Sequence, residues 1–198
     1  MTAPVIIASG GANIASLQFA LERLGCHPRV SAEADEIQNA SHVILPGVGA
    51  AQDAMSRLDA AGLSNVIPRL TQPVLGICLG MQLLHQASDE GNARCLGVLP
   101  GHAARLVPQA GRAVPHMGWN QLSAVREHPL LAGLENGAFA YFVHSYVLAP
   151  GDDTVAVCDY GTAFAAVVSH ANFHGAQFHP ERSAATGARF LANFLEFA

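Results

Sequence analysis

The run Val74-Leu75-Gly76-Ile77-Cys78-Leu79-Gly80-Met81-Gln82-Leu83-Leu84 carries one thiol through a Gly-x-Cys-x-Gly corner between two apolar segments. A strand that turns sharply into a helix crowds the backbone there. Small residues must flank the turn, and the central side chain is thrust outward. The start of a helix favours negative charge and so favours the thiolate, the nucleophilic form of cysteine. Far downstream, a second apolar run delivers His179, Pro180 and Glu181. Thiol, imidazole and carboxylate are by type a nucleophile, a base and the group that orients the base. In extended backbone, residues two apart face the same side, and Pro180 stiffens the link. That geometry predicts the Glu181 carboxylate beside the His179 ring, leaving the other ring nitrogen for the thiol.

The remaining candidates for this chemistry lack such neighbours. Cys26, Cys95 and Cys158 have no glycine corner and read as small buried hydrophobes. No C-x-x-C spacing occurs, so neither a metal site nor a redox pair is expected. His85, His116, His144, His170 and His174 are rival bases, but none has a carboxylate placed as Glu181 is. The chain has no lysine, which excludes Schiff-base chemistry on a lysine side chain and an ordinary P-loop. In Pro46-Gly47-Val48-Gly49, two glycines let backbone N–H groups turn toward a developing oxyanion. An ordinary turn between strand and helix is the plainer reading. A dinucleotide fingerprint fails because Gln52 stands where its third glycine belongs.

These residues need strands and helices to hold them. Val5-Ile6-Ile7-Ala8, His42 to Leu45 and Val74 to Ile77 read as buried strands, with helices over Ala12 to Leu24, Ala50 to Ala61 and Met81 to Ala87. Gly62 is a plausible helix stop. Alternation of strands and helices implies right-handed crossovers and a parallel sheet. After Gly91 shorter strand-like pieces follow at Leu106-Val107, Tyr141 to Val143, Thr154 to Cys158 and Ala165 to Val168, which adds mixed or antiparallel strands. Residues 171–178 resemble a hairpin that delivers His179 to a strand end. Pro115 to Asn120 holds the only Trp; a lone Trp is usually core, but the Gly118-Trp119-Asn120 setting reads as a tight turn, and Arg189 to Phe197 reads as a closing helix. The expectation is one α/β domain over residues 1–198: a single open, twisted, mostly parallel or mixed sheet with helices on both faces.

Composition bounds the function. The net charge is −5 and no basic run occurs, which argues against nucleic acid as a partner. Only 13% of residues are charged against 51% hydrophobic, so the surface is poor in charge. A buried partner interface and an alanine-rich composition account for this equally. No apolar stretch is long enough to span a membrane, and Met1-Thr2-Ala3-Pro4 lacks the basic start of a signal peptide, so a cytoplasmic location is expected.

Gly76 to Gln82 together with Gln177-Phe178-His179-Pro180-Glu181 resembles the class I, triad-type glutamine amidotransferases over essentially the whole chain. Pro46 to Gly49, Pro115 to Asn120 and Tyr141-Phe142-Val143-His144-Ser145-Tyr146 resemble the branch formed by the glutaminase subunits of imidazole glycerol phosphate synthase, in histidine biosynthesis. The resemblance implies that Cys78, His179 and Glu181 form the catalytic triad and release ammonia from L-glutamine through a γ-glutamyl thioester, with no cofactor. It implies oxyanion contacts from backbone at Gly47, Val48 and Leu79, and substrate contacts from Gly49, Gln82, Ser145 and Tyr146. It implies a heterodimer with a (β/α)8-barrel cyclase that receives the ammonia through a channel, with Trp119, Tyr141 and Arg182 near the interface. Two departures stand out: Ala8-Ser9-Gly10-Gly11-Ala12-Asn13 keeps only part of the family's Asp-Tyr-Gly-x-Gly-Asn run, and Arg182 stands where lysine is usual. Rival readings are a glutaminase of the anthranilate or pyridoxal-phosphate type, a stand-alone γ-glutamyl hydrolase, and a binding protein that keeps the fold. Met81 stands where anthranilate-type glutaminases usually carry His.

Overall fold

The computed structural model describes residues 3–8 and 14–197. In chain order the strands begin with β1 (Val5–Ile7), β2 (Arg29–Ser31), β3 (Val43–Gly47), β4 (Val74–Cys78), β5 (Ala87–Ser88), β6 (Ala93–Arg94) and β7 (His102–Arg105). They continue with β8 (His116–Gln121), β9 (Ser123–Ala124), β10 (Phe139–His144), β11 (Tyr146–Leu148), β12 (Thr154–Asp159), β13 (Ala163–His170) and β14 (Phe173–Ala176). The helices are α1 (Ile14–Glu22), α2 (Ala34–Gln38), α3 (Ala51–Ala60), α4 (Leu79–Leu84) and α5 (Ala184–Leu195). Among the described residues, the main sheet runs β2-β1-β3-β4-β14-β13-β12-β9. From β2 to β14 it is parallel; β13, β12 and β9 continue it antiparallel. The α/β class, the open mixed sheet and helices on both faces all follow the sequence expectation.

Each central strand feeds two cores, as period-two alternation requires. Val5, Ile7, Val43, Leu45 and Val74 pack with α2, α3 and α4 on one face. Ile6, Ile44, Leu75 and Ile77 pack with α1 and α5 on the other. Strands covered on both faces have no polar side, which is why β3 and β4 are fully buried and read as unbroken apolar runs. Two smaller sheets stand apart: the β8–β10 ribbon, and a sheet ordered β11-β7-β5-β6.

Register decides where the chemistry sits. In parallel β3 and β4, Gly47 pairs with Cys78. On the other side of β4, Ala176 pairs with Ile77. Three strands therefore end together, and residue 177 onward leaves the sheet at the rim where Cys78 leaves it. Reactive groups in open α/β sheets collect at such carboxyl ends.

Several expectations need correction. Residues 116–121 form a strand, β8, rather than a tight turn: they pair antiparallel with β10 along six positions, a distant partner that no local pattern announces. The segment after His179 is a short 3-10 helix over Pro180–Arg182, not extended chain, because Pro at its first position already has a helical φ. α4 starts directly after Cys78 and stops at Leu84, so Ala87 belongs to a strand. β7 ends at Arg105, before Leu106-Val107. The closing helix starts at Ala184 and ends at Leu195. β2 and α2 were not foreseen; each is short and half exposed, with little apolar pattern to mark it. Gly62 does follow α3, with φ of 70°. The start of the expected first helix and the altered run after Ala8 fall on residues outside those described.

Candidate active site

The elbow is built as its composition demands. Cys78 has φ 52° and ψ −111°, a strained backbone for a residue with a side chain. Neighbouring segments over-determine it. A side-chain carbon at Gly80 would collide with the Leu45 carbonyl oxygen of β3, so glycine alone lets the first turn of α4 seat against that strand. The thiol points into a cleft of about 440 Å³ lined by Gly47, Val48, Gly49, Cys78, Leu79, Gln82, Ser145, Tyr146, His179 and Arg182, among others. That volume lies within the ~300–1,000 Å³ of small-molecule sites.

His179 hydrogen-bonds the Cys78 side chain on one side, and its Nδ1 lies 2.8 Å from Glu181 Oε1 on the other. Both side chains of the His–Glu pair are nearly inaccessible, at 5% and 2%. Burial by itself pulls the His179 pKa down, but the bonds to Cys78 and Glu181 outweigh it and push the pKa up to about 10. The sulfur on one side and the carboxylate on the other thus favour the protonated ring. β10 fixes this turn: the His179 amide donates to the Tyr141 carbonyl at 2.9 Å, and the Tyr141 amide donates to Ser183 Oγ at 2.9 Å. The Ser183 hydroxyl donates back to the His179 carbonyl at 2.7 Å.

Trp119 and Tyr141 stand outside the cleft. Paired across the ribbon, they meet edge to face at 6.0 Å on its outer surface, beside exposed Met117 and Phe139. The Arg182 guanidinium lies 5.7 Å from the Tyr141 ring centre and also lines the cleft, so it spans both places. Cys26, Cys95 and Cys158 are elsewhere, and burial pushes Cys95 up to about 11 and Cys158 up to about 12, against reactivity.

Three contributors escaped the sequence reading. Glu90 lines the cleft and accepts a 3.0 Å bond from the Ala51 amide at the start of α3; burial raises its pKa. Its only local mark is an acidic residue in a short glycine-containing loop. Gln177 is fully buried, and its Nε2 lies 3.7 Å from Cys78 Sγ. A polar residue two before His179 in an apolar run was a legible signal of a shared face. The Val143 carbonyl, 3.8 Å from the thiol, is backbone and left no trace in residue type.

Comparison with known proteins gives one consistent picture. Residues 5–197 match the family model described as glutamine amidotransferase class-I. The imidazole glycerol phosphate synthase subunit HisH of Xanthomonas campestris pv. campestris (strain 8004) is 55% identical over 198 residues, covering 100% of this chain and 99% of the relative. The same-named subunit of Xylella fastidiosa (strain Temecula1 / ATCC 700964) is 53% identical over 99% of this chain and 98% of its own. Among solved structures, one described as a glutamine amidotransferase superposes with TM-score 0.75 at 19% identity, covering 98% of this chain and 97% of that one. PurLQS from Thermotoga maritima superposes with TM-score 0.74 at 21% identity and 98% coverage of both chains. These two show the likeness of fold.

Proposed function

Because the chain belongs to the class-I glutamine amidotransferase family, we propose that it is the glutaminase subunit of an imidazole glycerol phosphate synthase, acting as one amidotransferase domain in histidine biosynthesis. Full-length identity of 55% to proteins of that name favours this acceptor over an anthranilate or pyridoxal-phosphate type. The observation that carries the chemistry is the buried contact of Cys78, His179 and Glu181 at the rim of one cleft.

Cys78 sulfur attacks the side-chain amide carbon of L-glutamine, and the carbonyl oxygen becomes an oxyanion. The Leu79 amide and the backbone at Gly47 and Val48 are its donors. Losing one such donor costs roughly 3–4 kcal/mol of transition-state stabilisation. His179, carrying the proton it shares with Cys78, gives it to the departing nitrogen, and ammonia leaves. The γ-glutamyl thioester remains. Water, deprotonated by the now neutral His179, splits it to glutamate and thiol. Glu181 keeps the imidazole oriented throughout. At the amino-acid end, the Glu90 carboxylate supplies the negative charge that an α-ammonium needs, with Gly49, Gln82, Ser145 and Tyr146 closing the pocket.

The ammonia is the product of consequence. The exposed apolar residues Met117, Trp119 and Phe139, with half-buried Tyr141 beside them and Arg182 at the border, are the seat for a (β/α)8-barrel cyclase that consumes it. No helix among the described residues is long and apolar enough to cross a membrane. The test is a glutaminase assay with and without the cyclase and its nucleotide ligand. Cys78→Ser abolishes glutamate release while ammonia-dependent synthesis by the complex continues. Surviving glutamine turnover in that variant removes the assignment.

A further inference from the structure

Two buried histidines take no part in the chemistry above. His116 on β8 and His144 on β10 pair across the ribbon and are 2% and 6% exposed. Their hydrogen bonds admit one arrangement of protons. The Tyr146 carbonyl can only accept, so His144 Nδ1, 3.1 Å away, carries a hydrogen. The neutral ring then accepts at Nε2, so His116 Nδ1, 3.1 Å away, donates to it. His116 Nε2 therefore accepts, facing Asn120 Nδ2 at 3.4 Å. The Asn120 amide is oriented independently: its Nδ2 also donates to the Asp159 carbonyl, and its Oδ1 accepts from the Gln121 amide.

The Tyr146 carbonyl takes a second bond, from Gln82 Nε2 at 3.0 Å. The same nitrogen donates to Gln177 Oε1 at 3.0 Å. With that oxygen engaged, Gln177 must turn its own Nε2 toward Cys78 Sγ, 3.7 Å away. Gln82 and Gln177 are 3% and 0% exposed, so water does not compete for these groups. One unbroken series of bonds thus runs from the ribbon to the reactive sulfur, and each link leaves the next a single orientation.

We propose that His116, His144 and Gln177 are positioning residues for the nucleophile: His116 holds the His144 ring, His144 donates to the Tyr146 carbonyl, and that carbonyl orients Gln82 and through it aims the Gln177 N–H at Cys78 sulfur. An N–H so aimed favours the thiolate. Burial, which pushes His116 down to about 4 and His144 down to about 3, keeps both rings neutral as the proton pattern requires. A proton added to either ring would set two donors against each other.

The inference rests on Cys78 as the nucleophile, so the experiment separates the two. Iodoacetamide labelling of the intact protein, read per cysteine by mass, is expected to alkylate Cys78 ahead of Cys26, Cys95 and Cys158. Without that preference the nucleophile assignment itself fails. With it, His144→Phe is expected to slow Cys78 labelling about tenfold, the worth of a hydrogen bond to a charged group. His144→Asn keeps a donor near the Tyr146 carbonyl and recovers most of the rate, a rescue that a merely structural role for the ring would not produce. Gln177→Met leaves both histidines in place and is expected to match His144→Phe; it serves alone if the Phe variant does not fold. Unchanged labelling in Gln177→Met, or in a folded His144→Phe, or an Asn variant no better than Phe, overturns the proposal.

Discussion

Two imidazoles border the same cleft and are driven in opposite directions. His179, on the turn after β14, has its pKa pushed up to about 10, whereas His144, at the end of β10, has its pKa pushed down to about 3. Both rings are buried, so burial alone does not distinguish them. The bonded partners do: the Cys78 side chain and then the Glu181 carboxylate beside one ring, the Tyr146 carbonyl and the His116 ring beside the other. A carboxylate compensates an imidazolium; a carbonyl compensates an N–H and little more. Of the two raising partners Cys78 has the larger effect on His179, and the His116 ring adds to the lowering at His144. The lesson is that one molecule assigns proton-transfer and positioning roles to the same residue type through the partners around each ring.

The largest expected effect comes from removing the charged ring. His179→Asn should cut kcat for glutamine hydrolysis about 10³–10⁴-fold, measured as glutamate release in the cyclase complex, far beyond any loss from His144→Asn. Comparable losses at both positions would erase the distinction. Next, Glu181→Gln takes the carboxylate from His179 and should lower its titration midpoint, followed by NMR of the labelled ring, with a kcat loss of about 10²–10⁴-fold. A midpoint that stays put would show that the carboxylate is not what separates the two rings.

Smaller effects appear in stability against pH. Burial pushes the folded pKa values of His116, His144 and His174 down to about 4, 3 and 4, below the ordinary 6.5 of histidine. The unfolded chain binds protons there first, so their contribution is whole above pH 6.5 and is lost as pH falls toward the folded values. Each adds a slope of about 1.4 kcal/mol per pH unit in that window. Urea midpoints should therefore drop between pH 6.5 and 5, and less steeply in His116→Phe. His179 has the opposite sign. Its contribution is whole below 6.5 and is lost as pH rises through about 10, so urea midpoints should fall again between pH 8 and 10, and less so in Glu181→Gln. Smallest of all, Trp119→Ala on the outer face of the ribbon should shift stability by under about 0.5 kcal/mol, yet weaken cyclase binding measurably in a titration, since exposed aromatics carry interface energy.

Much of this site was legible before any fold was known. A glycine-flanked cysteine between apolar runs has few other uses, and Gly80 shows why: the residue is small because Leu45 backbone occupies the space a side chain would fill. The central strands were legible because burial on both faces leaves nothing but apolar residues. β8 was not, because a glycine and a tryptophan amid polar neighbours look like a turn until β10 supplies the partner. His179 is extended as expected, but the chain after it was misjudged as extended, although the pairing with Glu181 came out, because Pro180 suits either backbone and only the bonds from Tyr141 and Ser183 select one.

Residue types along the chain determined which groups are able to react and which strands must lie inside, because those depend on local chemistry and on the two-residue period of a strand. Tertiary structure alone decided that β3, β4 and β14 end in register, that Glu90 joins the cleft and Gln177 reaches Cys78 from behind it, and that one histidine has its pKa raised while another has it lowered. Those outcomes follow from partners distant in sequence, and the free energy of a proton or a hydrogen bond is set by what lies within a few ångströms in space, which neighbouring residues in the chain do not specify.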